Sequence, residues 1–111
     1  MMLTNMPERT IDWSLIPAKK VHGASSFFSG RAHQSGDVQQ RIVEYAPGYL
    51  ADHWCSKGHI IYVLTGALTI EHESEEPACA LLAGMSWQVA DGEGAAHRVR
   101  CENGATVFIV D

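Results

Sequence analysis

The run Gly48-Tyr49-Leu50-Ala51-Asp52-His53-Trp54-Cys55-Ser56-Lys57-Gly58-His59-Ile60-Ile61-Tyr62-Val63-Leu64-Thr65-Gly66 crowds His53, Cys55 and His59 into seven positions between two short apolar segments. On a strand, successive side chains alternate faces, so His53 and Cys55 point the same way. Ser56-Lys57-Gly58 has the small, polar composition of a turn. His59 then opens Ile60-Ile61-Tyr62-Val63-Leu64, whose β-branched and aromatic residues read as the returning strand. A hairpin of this kind brings His59 back beside His53 and Cys55 and turns three transition-metal ligands toward one spot.

The spacing resembles the first motif of the cupin family: a Gly, a His-x-His pair, a Glu four residues after the second His, and a Gly seven further on. Gly48, His53, Cys55, His59 and Gly66 occupy those places, with Cys55 where the second His usually stands and His59 where the Glu does. Ala51-Asp52-His53-Trp54-Cys55 followed by Lys57-Gly58-His59 is similar to a subgroup of small single-domain cupins with an Asp-His-Cys-Trp ("DHCW") signature. The family's second motif is a Gly, five residues, a Pro-x-Gly turn, and a His two residues on. Gly84 and Ala90-Asp91-Gly92 match it in spacing, with Ala90 in place of the Pro. His97 follows after a longer turn, Gly92-Glu93-Gly94-Ala95-Ala96, and the resemblance implies it as the fourth ligand. His97, Val99 and Cys101 share a face of the strand that starts there, which makes Cys101 either core or lining of the same cavity.

The ligand set His53, Cys55, His59 and His97 holds three imidazoles and, with Cys55 as a thiolate, one anion. That matches the charge of the family's usual three imidazoles and one carboxylate, with a softer donor. A thiolate moves preference away from Mg²⁺, Ca²⁺ and Mn²⁺. The expected cofactor is one divalent transition metal, with Zn, Fe or Ni foremost.

The remaining sequence fits this frame. At 111 residues the chain is long enough for one core and not for two. Residues 1–18 carry Pro7, Pro17 and the alternating Ile11, Trp13 and Leu15, which read as an extended arm packing on the body; residues 19–111 form one β-barrel domain. Eight basic and 13 acidic residues give a net charge of −5, which argues against a nucleic-acid partner. No stretch approaches the ~18 consecutive apolar residues of a membrane span. The first ten residues lack the apolar centre of a signal peptide, so the expected location is cytoplasmic. Three cysteines, an odd number, fit reduced thiols.

Glycines and Asn-Gly or Pro-Gly pairs punctuate short apolar runs from Gly23 to Asn103-Gly104. Val38 to Tyr45, Ala67 to Glu73, Ala78 to Leu82, Met85 to Ala90 and Ala105 to Val110 read as strands. With no convincing 3.6-residue period, the expected fold is all-β with little helix: a cupin-like double-stranded β-helix, or jelly-roll barrel.

Arg41, Tyr45, Tyr62, Arg98 and Cys101 are the candidate pocket residues, and Arg41 and Arg98 suit a small anion. Trp54 points away from His53 and Cys55, either packed under a neighbouring segment or anchoring a subunit contact. Cys79 reads as core. Two functions follow from the resemblance. One is a metalloenzyme, an isomerase or an oxygen-using oxidoreductase, acting on a small organic molecule in the barrel. The other is a non-catalytic binding or sensing module with a closed structural metal site. The resemblance also implies a homodimer.

Overall fold

The computed structural model describes residues 3–92 and 96–111. Among them the strands are β1 (Lys19–His22), β2 (Phe27–Ser35), β3 (Val38–Tyr45), β4 (Tyr49–Leu50), β5 (His59–His72), β6 (Cys79–Leu82), β7 (Ser86–Val89), β8 (His97–Cys101) and β9 (Ala105–Val110), with one 3₁₀ turn at Trp13–Leu15. All the strand pairings are antiparallel. One sheet runs β1-β2-β3-β9-β5-β7, and the other β6-β5-β8-β4. β5 belongs to both. Its first half lies between β9 and β7, its second half between β8 and β6. The result is the jelly-roll barrel that the sequence predicts.

Alternation fills the space between the sheets. Val43, Ile61, Val63, Val107 and Ile109 come from the first sheet, and Leu68, Ile70, Leu81 and Cys101 from the second, all nearly without exposure. Burying each aliphatic side chain contributes roughly 1.5–3 kcal/mol. A one-residue slip of any strand would turn its row outward, so packing fixes the register. That register also brings Arg41, His59 and Asp111 to one end of the inner face. Arg41 is level with Ile109, Ile109 with Ile61, and Ile61 with Trp87 across the inner face. One step along, His59 opens β5, and Asp111, just past β9, is held by mutual backbone hydrogen bonds with Gln39 at 2.6 and 2.9 Å.

Three expectations are corrected. The hairpin through residues 53–59 does not form: Cys55 pairs with His97 as an isolated bridge, not with β5. The reason is that β9 and β7 already occupy both edges of β5 at Ile60–Tyr62, leaving no edge for a strand from residues 53–56. Gly66 is not a turn between strands but a bend inside β5. A register shift between Val63 and Thr65 marks a bulge there, and Gly66 takes φ +78°. Bulges of this kind bend and twist a strand, and here the bend carries β5 from one sheet into the other. Ile11 to Leu15 is not simply extended, because Asp12 accepts hydrogen bonds from the Ser14 amide and hydroxyl and nucleates the 3₁₀ turn. The Ile16 carbonyl accepts a hydrogen bond from Arg31, and Thr4 and Asn5 sit against Gly36 in the β2–β3 turn. The long turn expected at Gly92 to Ala96 falls on residues 93–95, outside the described residues.

A Cβ on Gly66 would overlap the Gly104 carbonyl oxygen and stand 2.8 Å from Ala105 Cα, in a backbone conformation that side chains rarely adopt. Gly66→Ala should therefore lower unfolding free energy by at least about 2 kcal/mol, read from urea denaturation. An unchanged midpoint and slope would contradict the bend as a required feature.

Candidate metal centre

Cys55, His59 and His97 reach one spot from three parts of the chain, and their ligand atoms all lie within 4.8 Å of one another. The Cys55–His97 bridge supplies two of them. Cys55 N–H donates to the His97 carbonyl at 2.8 Å and His97 N–H to that of Cys55 at 2.9 Å. Residues paired in this way present their side chains on the same face. The loop between Cys55 and β5 is tied to the end of β7. The Gly58 amide donates to Asp91 Oδ1, and the Gly92 amide to the Ser56 carbonyl. Gly58 is the residue that allows this approach, since a Cβ there would stand 2.8 Å from Asp91 N. His59, leading β5, then falls beside the bridge.

Cys55 Sγ lies 3.5 Å from His59 Nε2. In a tetrahedral zinc site with Zn–S of about 2.3 Å and Zn–N of about 2.0–2.1 Å, S and N stand about 3.5 Å apart. The donor set and its spacing therefore fit a transition metal. The Lys57 amide also points at the sulfur, at 3.4 Å. His97 is buried at 3% exposure, with its ring edge-on to His59 and to Trp87 at centroid distances of 5.1 and 4.9 Å. On the far side of His59, Nδ1 lies 3.1 Å from Asp111 Oδ2, and that oxygen also accepts from Arg41 at 2.9 Å. The side chains of His59 and Asp111 are only 9% and 3% exposed.

The cluster forms part of the wall of a cavity of about 180 Å³ whose other walls include Phe28, Arg41, Tyr45, Tyr49, Ile61, Val99 and Ile109. Phe28, Tyr45 and Tyr49 pack mutually at centroid distances of 4.9–5.8 Å. Burial pushes both tyrosine hydroxyls above their ordinary pKa, so they stay protonated. Arg41 keeps a buried Nε without a hydrogen-bond partner. Arg98 also lines the cavity, but its guanidinium pairs with Glu71 at 2.8 Å and covers the Trp54 ring at 4.4 Å. Those contacts hold the Glu71 carboxyl below its usual pKa.

The sequence-derived site divides in three. Cys55, His59 and His97 come together. His53 lines the same cavity but stands apart from the three-donor group, with its side chain 77% exposed and Nδ1 on Asp52 at 2.7 Å. Of the pocket candidates, Arg41, Tyr45 and Arg98 line the cavity, and Tyr62 and Cys101 do not. Tyr62 alternates with buried Ile61 and Val63 and so faces outward at 40% exposure. Cys101 faces inward but is fully covered by core, its Sγ on the Ala67 carbonyl. Cys79 packs against the core, and all three cysteines are free thiols. Sequence reasoning missed Asp111. Its only signal is its place two residues past inward-facing Ile109.

No family model matches the chain, and no curated protein matches it. Solved structures do. The polyketide cyclase RemF from Streptomyces resistomycificus superposes with a TM-score of 0.76 at 16% identity, over 94% of this chain and 78% of its own. An RmlC-like cupin from Shewanella frigidimarina gives 0.76 at 13%, over 96% and 92%. A predicted oxalate decarboxylase from Thermotoga maritima gives 0.75 at 13%, over 92% and 96%. The chain has the cupin fold. Among the described residues no helix is long and apolar enough to cross a membrane.

Burial depresses the pKa of His59; the Asp111 carboxylate opposes this, while His97 and Arg41 add to the depression. The unfolded chain therefore takes up a proton on His59 at a higher pH than the native one. Stability tied to neutral His59 is present above the unfolded value, near 6.5, and is lost as pH falls below it. Metal-free protein should show a falling urea midpoint between pH 7 and pH 5, and His59→Asn should flatten that slope. A slope unchanged by the substitution would contradict the buried neutral imidazole.

Proposed function

We propose that this chain is a metal-binding cupin-fold protein of the Asp-His-Cys-Trp type that takes one divalent transition metal on Cys55, His59 and His97 and acts on a small organic molecule in the barrel. The observation that carries the reading is the three-donor group on the wall of a cavity. Three protein ligands leave a position free, as in catalytic rather than structural sites. One thiolate with two imidazoles favours zinc, iron or nickel over magnesium or calcium. Bound there, such a metal would act as a Lewis acid or activate water or O₂.

The chain's own residues set what enters. About 180 Å³ is below the roughly 300–1,000 Å³ of ordinary ligand pockets, so the ligand is small. The apolar and aromatic walls take its body. Arg41, with an unpartnered Nε, suits an acidic oxygen, and the Tyr45 and Tyr49 hydroxyls offer donors. An isomerase or an oxygen-using oxidoreductase fits this arrangement. Two fold neighbours, a polyketide cyclase and a predicted oxalate decarboxylase, carry names of enzymes for organic molecules. A second reading follows from His53, whose ring lines the same cavity: swung inward as a fourth ligand, it would close the site into a structural one.

The homodimer belongs to the same proposal. Trp54, stacked under Arg98, stays 36% exposed and Leu15 of the arm 80%, and Ile60, Tyr62 and Leu64 stand about two-fifths exposed on the outer face of β5. An apolar patch of this kind favours an interface. A cytoplasmic location, with no nucleic-acid or membrane partner, completes the reading.

Native mass spectrometry of zinc-reconstituted protein reads metal and assembly together. The expected species is a dimer with one zinc per chain, kept in His53→Ala and lost in Cys55→Ser and His97→Ala. Loss of zinc in His53→Ala would favour the closed structural site. Full zinc in Cys55→Ser would remove Cys55 from the ligand set, and a monomer of 12.1 kDa would refute the dimer.

A further inference from the structure

The Asp111 carboxylate is buried against His59, on the opposite side of the ring from the sulfur of Cys55. We propose that Asp111 is a positioning residue, which fixes His59 as the Nδ1–H tautomer and so aims the Nε2 lone pair at Cys55 and His97. The proposal rests on the metal-binding reading above for its consequence, but not for its geometry.

An ionised carboxylate only accepts hydrogen bonds, so the imidazole nitrogen facing it must carry the proton. The proton on one ring nitrogen of a neutral imidazole leaves the other as the ligand atom. At 3.1 Å the Asp111 Oδ2–His59 Nδ1 contact is of hydrogen-bond length, and Nε2 is the nitrogen turned to the sulfur. The carboxylate is itself held from two directions. The Asp111 backbone exchanges both hydrogen bonds with Gln39, which fixes where the side chain starts. Arg41 then grips the same Oδ2 that His59 uses. With the carboxylate 3% exposed, water competes little for that oxygen. Partners of this kind orient a metal-binding histidine and raise its basicity, and losing one typically costs 10–100-fold in metal affinity.

The blander alternative is that Asp111 is there only to pair the inward-facing Arg41. The two accounts separate on the tautomer. Long-range ¹H–¹⁵N spectra of metal-free protein at pH 7.5 report which nitrogen of His59 carries the proton, and competition with a chromophoric chelator reports zinc affinity. The proposal expects the Nδ1–H form in wild type and in Arg41→Gln, and a shift to the Nε2–H form in Asp111→Ala. It also expects Asp111→Ala to bind zinc about 10–100-fold more weakly. Wild type in the Nε2–H form overturns the proposal outright, even if Asp111→Ala fails to fold. An Asp111→Ala protein that keeps the Nδ1–H form and full zinc affinity overturns it as well. Wild type in the Nδ1–H form that binds no zinc supports the orienting contact and defeats the metal reading instead.

Discussion

β5 has a partner on each edge at Ile60–Tyr62 and again at Thr69–Ile70, and most of the molecule follows from that constraint. Its first half pairs with β9 and β7, its second half with β6 and then β8. A strand shared between two sheets must bend where it leaves one for the other. The bulge and the positive φ at Gly66 provide the bend, and Gly104 comes so close to it that no side chain fits. Because both edges are taken from Ile60 onward, the preceding segment cannot fold back along β5. It pairs with the start of β8 through the single bridge at Cys55.

That displaced segment builds the three-donor cluster. The bridge puts Cys55 and His97 on one face, and the ties from Gly58 and Gly92 bring His59 alongside. The three donors are thus set by backbone hydrogen bonds from a loop and two strand starts, which gives more precise placement than side chains reaching out of a free loop. The inner-face register puts Asp111 beside His59 and Arg41 one row along, so an ion pair with a buried carboxylate borders both the donors and the cavity. Breaking such a pair on one side leaves an uncompensated buried charge.

The fold was legible where side-chain alternation was clean. Val38 to Tyr45 and Ala105 to Val110 coincide with β3 and β9, and Met85 to Ala90 brackets β7. It was not legible in β2, where Gly30 reads as a turn but lies mid-strand opposite Val43, with the Phe28 ring over the place of a side chain. The continuity of β5 was hidden for a related reason, since a glycine at a bulge and a glycine at a chain reversal look alike in sequence. In the site, the density of ligand-type residues pointed to Cys55 and His59, although the hairpin inferred to join them was the wrong local structure. His53 and Cys55 were placed on one face by strand alternation, and outside a strand that alternation does not hold. Asp111 was hidden because a single aspartate after an apolar run carries no pattern, and only the register of β9 turns it inward.

The central claim is that Cys55, His59 and His97 bind one metal ion together. X-ray absorption at the metal edge of zinc-reconstituted protein tests it most directly. The account predicts a first shell with one sulfur at about 2.3 Å and at least two imidazole nitrogens at about 2.0–2.1 Å. A shell of nitrogen and oxygen with no sulfur would contradict it.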